Sequence, residues 1–293
     1  MRIVFIGAVE FSQHALECLL SMDADVVGIC TLKESPINSD HVDLSNIGAR
    51  HGIPCLYANN INSEDSLECI KEKGPDVIFC FGWSKLLKHE LLALPPLGVV
   101  GFHPAALPAN RGRHPLIWAL VLGLKETAST FFFMDVGADS GDILSQRNIP
   151  IDEHDDARIL YSKITKEALL QIQEFVPLLE ARCFPRVPQD SLLSNTWRKR
   201  GAADGQIDWR MSATSIHNLV RGLSKPYIGA HFDFEGREIK VWKTEVVLDV
   251  ASNIEPGKVF RLDNSKPVVK CGDSAVCLLL TEPKFEPVVG IYL

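Results

Sequence analysis

His103 and Asp139 form the pair of side chains in this chain most able to do chemistry together. His103 sits in Gly101-Phe102-His103-Pro104-Ala105-Ala106-Leu107-Pro108, and Asp139 in Gly137-Ala138-Asp139-Ser140-Gly141-Asp142-Ile143-Leu144. Each segment follows an apolar run that reads as a buried strand, so each presents a side chain at a strand's C-terminal end, where open α/β sheets place their sites. Pro104 holds the residue before it in extended backbone, which puts His103 at the strand end itself. An imidazole beside a carboxylate is the minimum set for a general base with an orienting partner. Gly101, Pro104, Pro108 and Gly112 mark an irregular loop after the strand, a common setting for function.

The elements that must position this pair follow from periodicity. Residues 2–7, 25–31, 76–81 and 98–102 read as short apolar strands, with helical spacing at 11–20, 44–51 and 63–73 between them. That alternation predicts an α/β domain with a mostly parallel, Rossmann-like sheet covered on both faces. Residues 114–122 read as a helix, 127–134 as a fifth strand, and 157–179 as a long amphipathic helix with Ile159, Leu160, Ile164, Ala168, Ile172 and Phe175 on one face. Pro, Arg, Ser and Asn dominate 182–204, which reads as a linker. A short helix is expected at 215–223, followed by strands at 231–234, 238–247, 258–262, 267–271 and 275–280. The predicted organisation is a domain over 1–185, a linker over 186–205 and a small β-rich, barrel-like domain over 206–293.

Composition narrows the function classes. The 293 residues carry a net charge of -7, and the sequence pI is about 5.7, so no global basic field attracts nucleic acid or anionic membrane. No apolar run approaches the ~18 residues of a membrane span. The first apolar stretch, residues 3–6, has strand length and not the length of a secretory leader. The cysteines at 18, 30, 55, 69, 80, 183, 271 and 277 make no C-x-x-C pair, which argues against a metal site and dithiol redox chemistry and for buried reduced thiols in a cytoplasmic protein. The turn Ile6-Gly7-Ala8-Val9-Glu10 has one glycine where a dinucleotide fingerprint needs three, which argues against a nicotinamide dehydrogenase.

Residues 98–144 resemble the catalytic core of the formyltransferases that use 10-formyltetrahydrofolate, whose signature runs N-x-H-P-S-x-L-P, a glycine-bearing loop, then D-x-G-D or a near variant. The 36-residue spacing from His103 to Asp139 is kept. The likeness extends to Met1-Arg2-Ile3-Val4-Phe5-Ile6-Gly7 with Glu10-Phe11, and to Gly205-Gln206-Ile207-Asp208-Trp209, Ile216-His217-Asn218-Leu219-Val220-Arg221 and Pro226-Tyr227-Ile228-Gly229-Ala230, nearly the full chain. The resemblance implies that His103 takes or relays a proton from an attacking amine and that Asp139 orients the ring and favours its charged form. It further implies that 10-formyltetrahydrofolate is co-substrate, that no metal is needed, and that a homodimer is to be expected. The pterin pocket would be lined by Trp83, Ser84, Lys85, Leu86 and Leu87 with Met134, Asp135, Val136 and Gly137.

One departure stands out. The family's Asn, which helps stabilise the tetrahedral oxyanion, is Gly101 here; losing one such donor costs about 10²–10³ in rate. Either another donor serves (Asn110, the ring of His103 or water), or the chain is a slow or dead enzyme, or the position was engineered. The favoured reading is an active enzyme with a substitute donor. The alternative of another class is a folate- or nucleotide-binding protein without turnover.

Acceptor choice is read from the second half. Residues 206–293 hold eleven Lys and Arg against eleven Asp and Glu, a neutral domain where tRNA would need a basic face. Arg198-Lys199-Arg200 is the only basic cluster, readable as a solvated turn or as a bridge across the two domains. The stretch from Trp197 to Trp209 resembles the linker of sugar N-formyltransferases. In Asn110-Arg111-Gly112-Arg113-His114-Pro115, Arg111 and Arg113 suit a nucleotide diphosphate, since arginine holds phosphate in a bidentate fork, and Asn110 and His114 complete the expected acceptor-side set. The expectation is N-formylation of a nucleotide-linked amino sugar, with methionyl-tRNA as the alternative acceptor.

Overall fold

The computed structural model describes residues 1–36, 38–284 and 288–293. Two compact units divide it: Met1–Pro115, Thr127–Ile149 and Ser162–Trp197 form one, and Leu116–Glu126, Pro150–Tyr161 and Arg198–Leu293 the other.

The first unit is built on a seven-stranded sheet. In chain order its elements are β1 (Ile3–Ile6), α1 (Glu10–Ser21), β2 (Val26–Thr31), α2 (Ser45–His51), β3 (Cys55–Tyr57), α3 (Glu64–Glu72), β4 (Val77–Cys80), the short α4 (His89–Leu92) and β5 (Val99–His103). There follow β6 (Arg111–Gly112), α5 (Pro115–Val121, mostly in the second unit), β7 (Glu126–Phe133), β8 (Ile143–Pro150), α6 (Ala157–Glu180, its start through Tyr161 in the second unit) and β9 (Thr196–Trp197). The sheet order is β3-β2-β1-β4-β5-β7-β8. Strands β1 to β5 pair in parallel, and β5 meets β7 antiparallel. The central strands β1 and β4 are apolar and buried at every position, as a parallel sheet covered on both faces demands. Local signals stop the helices: α2 ends on Gly52 in left-handed backbone, and α3 starts at Ser63, whose side chain accepts the Ser66 N–H.

The single glycine of the first turn is a packing glycine. A Cβ on Gly7 would lie 2.5 Å from Ser12 Cβ and 2.6 Å from the Phe81 carbonyl oxygen. Ser12 Oγ donates to that same carbonyl at 2.6 Å, closing the turn onto the end of β4. An aromatic cluster backs the strands that lead to the site: Phe131 lies 5.2 Å from Phe81, 4.9 Å from Phe102 and 4.8 Å from Phe175 between ring centroids. Phe102, the neighbour of His103, stacks on Phe11 at 4.1 Å.

The second unit holds α7 (Ala213–Gly222) and β10 (Ala230–Phe234), β11 (Arg237–Val247), β12 (Val259–Asp263), β13 (Lys266–Lys270) and β14 (Ala275–Glu282). These five strands form an antiparallel sheet in the order β10-β11-β14-β13-β12. Ile216, Leu219 and Val220 of α7 bury with Trp209, Phe232, Val241 and Leu278, and Ile117 of α5 joins the same core.

Two features depart from the sequence reading, and a third chooses between its alternatives. Strands β3 and β8 were not anticipated: β3 has three residues, and β8 lies at the sheet edge, where Ser145, Gln146, Arg147 and Asn148 break any apolar run. The segment read as a linker is structured, for Val187 exchanges backbone hydrogen bonds with Ile143 at 2.8 and 3.0 Å, and β9 pairs in parallel with β6. Arg198 does not reach for a distant carboxylate; its guanidinium pairs with Asp204, six residues on in the same segment. Arg200 lies 4.6 Å over the Trp118 ring, a cation–π contact within the second unit.

Burial pushes the Cys30 thiol up to about 12 and the Cys55 thiol up to about 11, with smaller contributions from nearby charge. Both are therefore neutral and unreactive at neutral pH. Among the described residues no helix is long and apolar enough to cross a membrane.

Candidate active site

His103 ends β5, 4% exposed, opposite Thr130 of β7. Its Nε2 lies 2.8 Å from the backbone oxygen of Asn110. A carbonyl only accepts, so in the neutral ring the hydrogen sits on Nε2 and the lone pair on Nδ1. Nδ1 lies 3.7 Å from Asp139 Oδ2. That is an ion-pair separation and exceeds a hydrogen bond, so the carboxylate faces the basic nitrogen without closing on it. Asp139 Oδ2 instead accepts the Gly112 N–H at 2.9 Å. The direct orienting bond expected of Asp139 is thus replaced by two separate supports, the Asn110 carbonyl for the ring and the Gly112 amide for the carboxylate.

The loop after β5 is fixed by side chains of the adjoining strands. Thr130 Oγ1 donates to the Ala105 carbonyl at 2.7 Å, Thr127 Oγ1 to Pro104 at 3.2 Å, and Gln146 Nε2 to Leu107 at 2.9 Å. Gly112 is required on two counts: its φ is +101°, and a Cβ there would come within 2.3 Å of the Trp197 carbonyl oxygen. Asp139 and Asn110 also take left-handed backbone, at φ 55° and 64°, conformations that Asp and Asn tolerate better than other non-glycine residues.

Position 101 is closed by its surroundings. A Cβ on Gly101 would lie 2.8 Å from Met134 Cγ and 3.1 Å from a Phe132 ring carbon. Met134, expected on the folate side, fills the space that a Cβ at position 101 would enter. The Asn110 backbone N–H and C=O are both engaged, the first by Asn195 Oδ1 at 2.7 Å and the second by His103, which pins Asn110 beside the imidazole.

The remaining expected residues divide as follows. Arg111 sends Nε and Nη2 to Gln189 Oε1 at 3.1 and 2.6 Å, while Arg113 Nη1 donates to the Ser84 carbonyl at 2.9 Å. Arg113 thereby ties the His103 loop to the segment 83–87. In that segment Ser84 Oγ bonds Asn38 Oδ1 at 2.9 Å, and Lys85 Nζ bonds the Asn59 carbonyl. Leu87 is core, but Leu86 is 71% exposed. On the other loop Asp135 Oδ1 accepts from Gly137 N and Ser140 Oγ, and Val136 is 80% exposed. His114, at φ 57°, immediately precedes α5. Leu86 and Val136 are thus two large apolar side chains held out to solvent, one per loop, and the buried Trp83 Nε1 lacks a hydrogen-bond partner among the described residues. Among the described residues no cluster of His, Cys, Asp and Glu is placed to hold a metal ion.

Sequence reasoning missed Gln189 and Asn195, and read Trp197 only as part of the linker. Beyond the Asn195 side-chain bond, the Asn195 carbonyl accepts the Arg111 N–H at 3.0 Å and the Trp197 carbonyl accepts the Arg113 N–H at 3.1 Å. The available signal was the alternation Pro185-Arg186-Val187-Pro188, since closely spaced prolines stiffen a chain where a flexible linker would have none.

Residues 1–174 match the Formyl transferase family and residues 200–287 match the Formyl transferase, C-terminal domain family. The chain belongs to the formyl transferase family. This formyltransferase is 33% identical over 298 residues to the methionyl-tRNA formyltransferase of Caldanaerobacter subterraneus subsp. tengcongensis, covering 99% of this chain and 95% of that one. It superposes on WlaRD, a sugar 3N-formyl transferase solved with dTDP and 5-N-formyl-THF, at a TM-score of 0.73 and 18% identity, covering 97% of this chain and 99% of that one. An N-formyltransferase from Helicobacter canadensis, solved with folinic acid and dTDP-3-aminofucose, gives a TM-score of 0.70 at 16% identity, covering 94% and 98%. At these identities the structural likeness speaks for the fold alone.

Proposed function

We propose that this formyltransferase N-formylates the amine of a nucleotide-linked amino sugar, with 10-formyltetrahydrofolate as donor and His103 as proton acceptor. The observation that carries the reading is the bare Nδ1 of His103, facing the Asp139 carboxylate across 3.7 Å. The donor supplies an activated formyl carbon: the amine nitrogen bonds to it, its bond to N10 breaks, and the proton shed by the amine ends on N10. Nδ1 is the basic atom able to take that proton, since Nε2 is occupied by its own hydrogen and the Asn110 carbonyl. Once the ring is protonated, the Asp139 carboxylate stands opposite the new charge, and the Gly112 amide keeps it there. Exposed Leu86 and Val136 on the loops 83–87 and 134–137 support those loops as the walls of the folate pocket.

The acceptor class is supported by charge. Arg111 and Arg113 are the residues on either side of the glycine whose amide holds Asp139, and arginine is the side chain that binds a diphosphate in a bidentate fork, which supports a nucleotide-linked acceptor. The second half of the chain is neutral, with eleven cations and eleven anions over 206–293. A tRNA acceptor calls for many phosphate contacts from a basic face. The second reading, methionyl-tRNA as acceptor, is favoured by the 33% identity to the Caldanaerobacter enzyme over nearly the whole chain.

Mass spectrometry on a panel decides between them. The protein is mixed with 10-formyltetrahydrofolate and dTDP- or UDP-linked 3-amino and 4-amino sugars, with methionyl-tRNA alongside. One formyl mass added to a nucleotide sugar supports the first reading, and formyl-methionyl-tRNA as the sole product replaces it with the second.

A further inference from the structure

Gln189 comes from the segment that composition marks as a connector, yet its carboxamide is spent entirely on the site. Nε2 donates to the carbonyls of Asp139 at 2.9 Å and Gly141 at 2.7 Å. Oε1 accepts from Arg111 Nε at 3.1 Å and Nη2 at 2.6 Å. A primary amide has two N–H donors and two carbonyl lone pairs. All four are used here, two on the loop that carries Asp139 and two on the arginine beside Gly112.

Its neighbours behave differently. Leu192 is 90% exposed and Leu193 66%, so this stretch has no apolar anchor of its own there. Hydrogen bonds hold it instead: the Val187 exchange with Ile143 on one side and the β6–β9 pairing on the other, with Gln189 between. The loop it grips has little slack, because a Cβ on Gly141 would stand 1.8 Å from the Phe133 carbonyl oxygen.

We propose that Gln189 is a positioning residue for formyl transfer, locking the Asp139 loop and Arg111 together so that the carboxylate facing His103 and the acceptor-side guanidinium keep a fixed separation. This rests on the roles of His103 and Asp139 proposed above. Glutamate cannot substitute fully: it keeps acceptors for Arg111 but turns a carboxylate oxygen toward two carbonyl oxygens. Leucine matches the size and keeps neither function. Asparagine is one methylene too short to span both loops.

The test has an arm that needs no acceptor. In the ligand-free full chain, hydrogen exchange at the Gly112 amide reports whether Asp139 Oδ2 is still 2.9 Å away. Gln189→Leu is expected to speed exchange at Gly112 by about tenfold or more while β1 and β4 amides keep their protection. The second arm is steady-state transfer from 10-formyltetrahydrofolate to dTDP-3-aminofucose. Gln189→Glu is expected to lower kcat by roughly 10- to 100-fold with acceptor KM little changed, and Gln189→Leu to lower kcat and raise KM. Unchanged Gly112 exchange in Gln189→Leu overturns the proposal, and so does a uniform rise across β1, β4 and Gly112, which would make Gln189 a prop of the fold. If His103→Ala transfers at the wild-type rate while Gln189→Leu still frees Gly112, the catalytic reading has failed and the clamp is structural only.

Discussion

The Nε2 of His103 lies 2.8 Å from the carbonyl oxygen of Asn110, and that contact decides which edge of the ring is basic. With hydrogen committed to Nε2, the lone pair on Nδ1 points to the side where Asp139 stands. Long-range nitrogen–proton correlation spectra of the neutral ring are predicted to show the proton on Nε2. A proton on Nδ1 would reverse the proposed direction of proton transfer.

Restoring the family's asparagine is predicted not to restore a family site. The Cβ position at residue 101 is 2.8 Å from Met134 Cγ, so Gly101→Asn overpacks the end of β5. Overpacking costs about 1–3 kcal/mol, or several degrees in Tm for a chain of this size. Gly101→Asn alone is predicted to lower Tm without raising the transfer rate, and Gly101→Asn with Met134→Ala to regain the lost stability. Faster transfer by the single variant at unchanged Tm would show instead that the native site has decayed.

Gly112 holds the Asp139 carboxylate from within β6, which pairs in parallel with β9. With a φ of +101° and 2.3 Å between its Cβ position and the Trp197 carbonyl oxygen, Gly112→Ala cannot be absorbed by a side-chain shift. The predicted result is a loss of about 2 kcal/mol or more, with transfer reduced at least tenfold. Thermal unfolding and the transfer assay check both, and an alanine variant matching wild type in each would contradict the assigned geometry.

Much of the scaffold was legible because burial writes itself into sequence. Strands β1 and β4 are unbroken apolar runs, and α6 keeps a helical stripe over six turns. The edge strand β8 was not legible, because Gln146 and Arg147 face partners or solvent and leave no pattern. His103 stood out through Pro104 and the strand before it. The way it is held did not: Asn110, Gly112, Gln189 and Asn195 meet through bonds spanning up to 85 residues, and such long-range pairings carry no local periodicity. The vacancy at Gly101 could be read from its residue type, but Met134 filling it could not.

The second unit carries its own pH signature. Burial, aided by the nearby Arg221 charge, lowers the His217 pKa from its ordinary value. Between that folded value and the unfolded value of about 6.5, the unfolded chain binds more protons, so this residue's effect is absent above pH ~6.5 and destabilises progressively as pH falls below it. Thermal scans from pH 8 to pH 5 are predicted to show wild type losing Tm relative to His217→Gln only on the acid side. A constant difference across the range would contradict it.

The most direct test of the central claim is the formyl mass gain of a nucleotide-linked amino sugar, measured with wild type and with His103→Ala at matched folded concentrations. The account predicts a single formyl added by wild type and a rate at least 10²-fold lower for His103→Ala, in line with the loss of a general base. Equal rates from the two proteins would contradict it, because the amine proton would then be leaving by a route that does not pass through Nδ1.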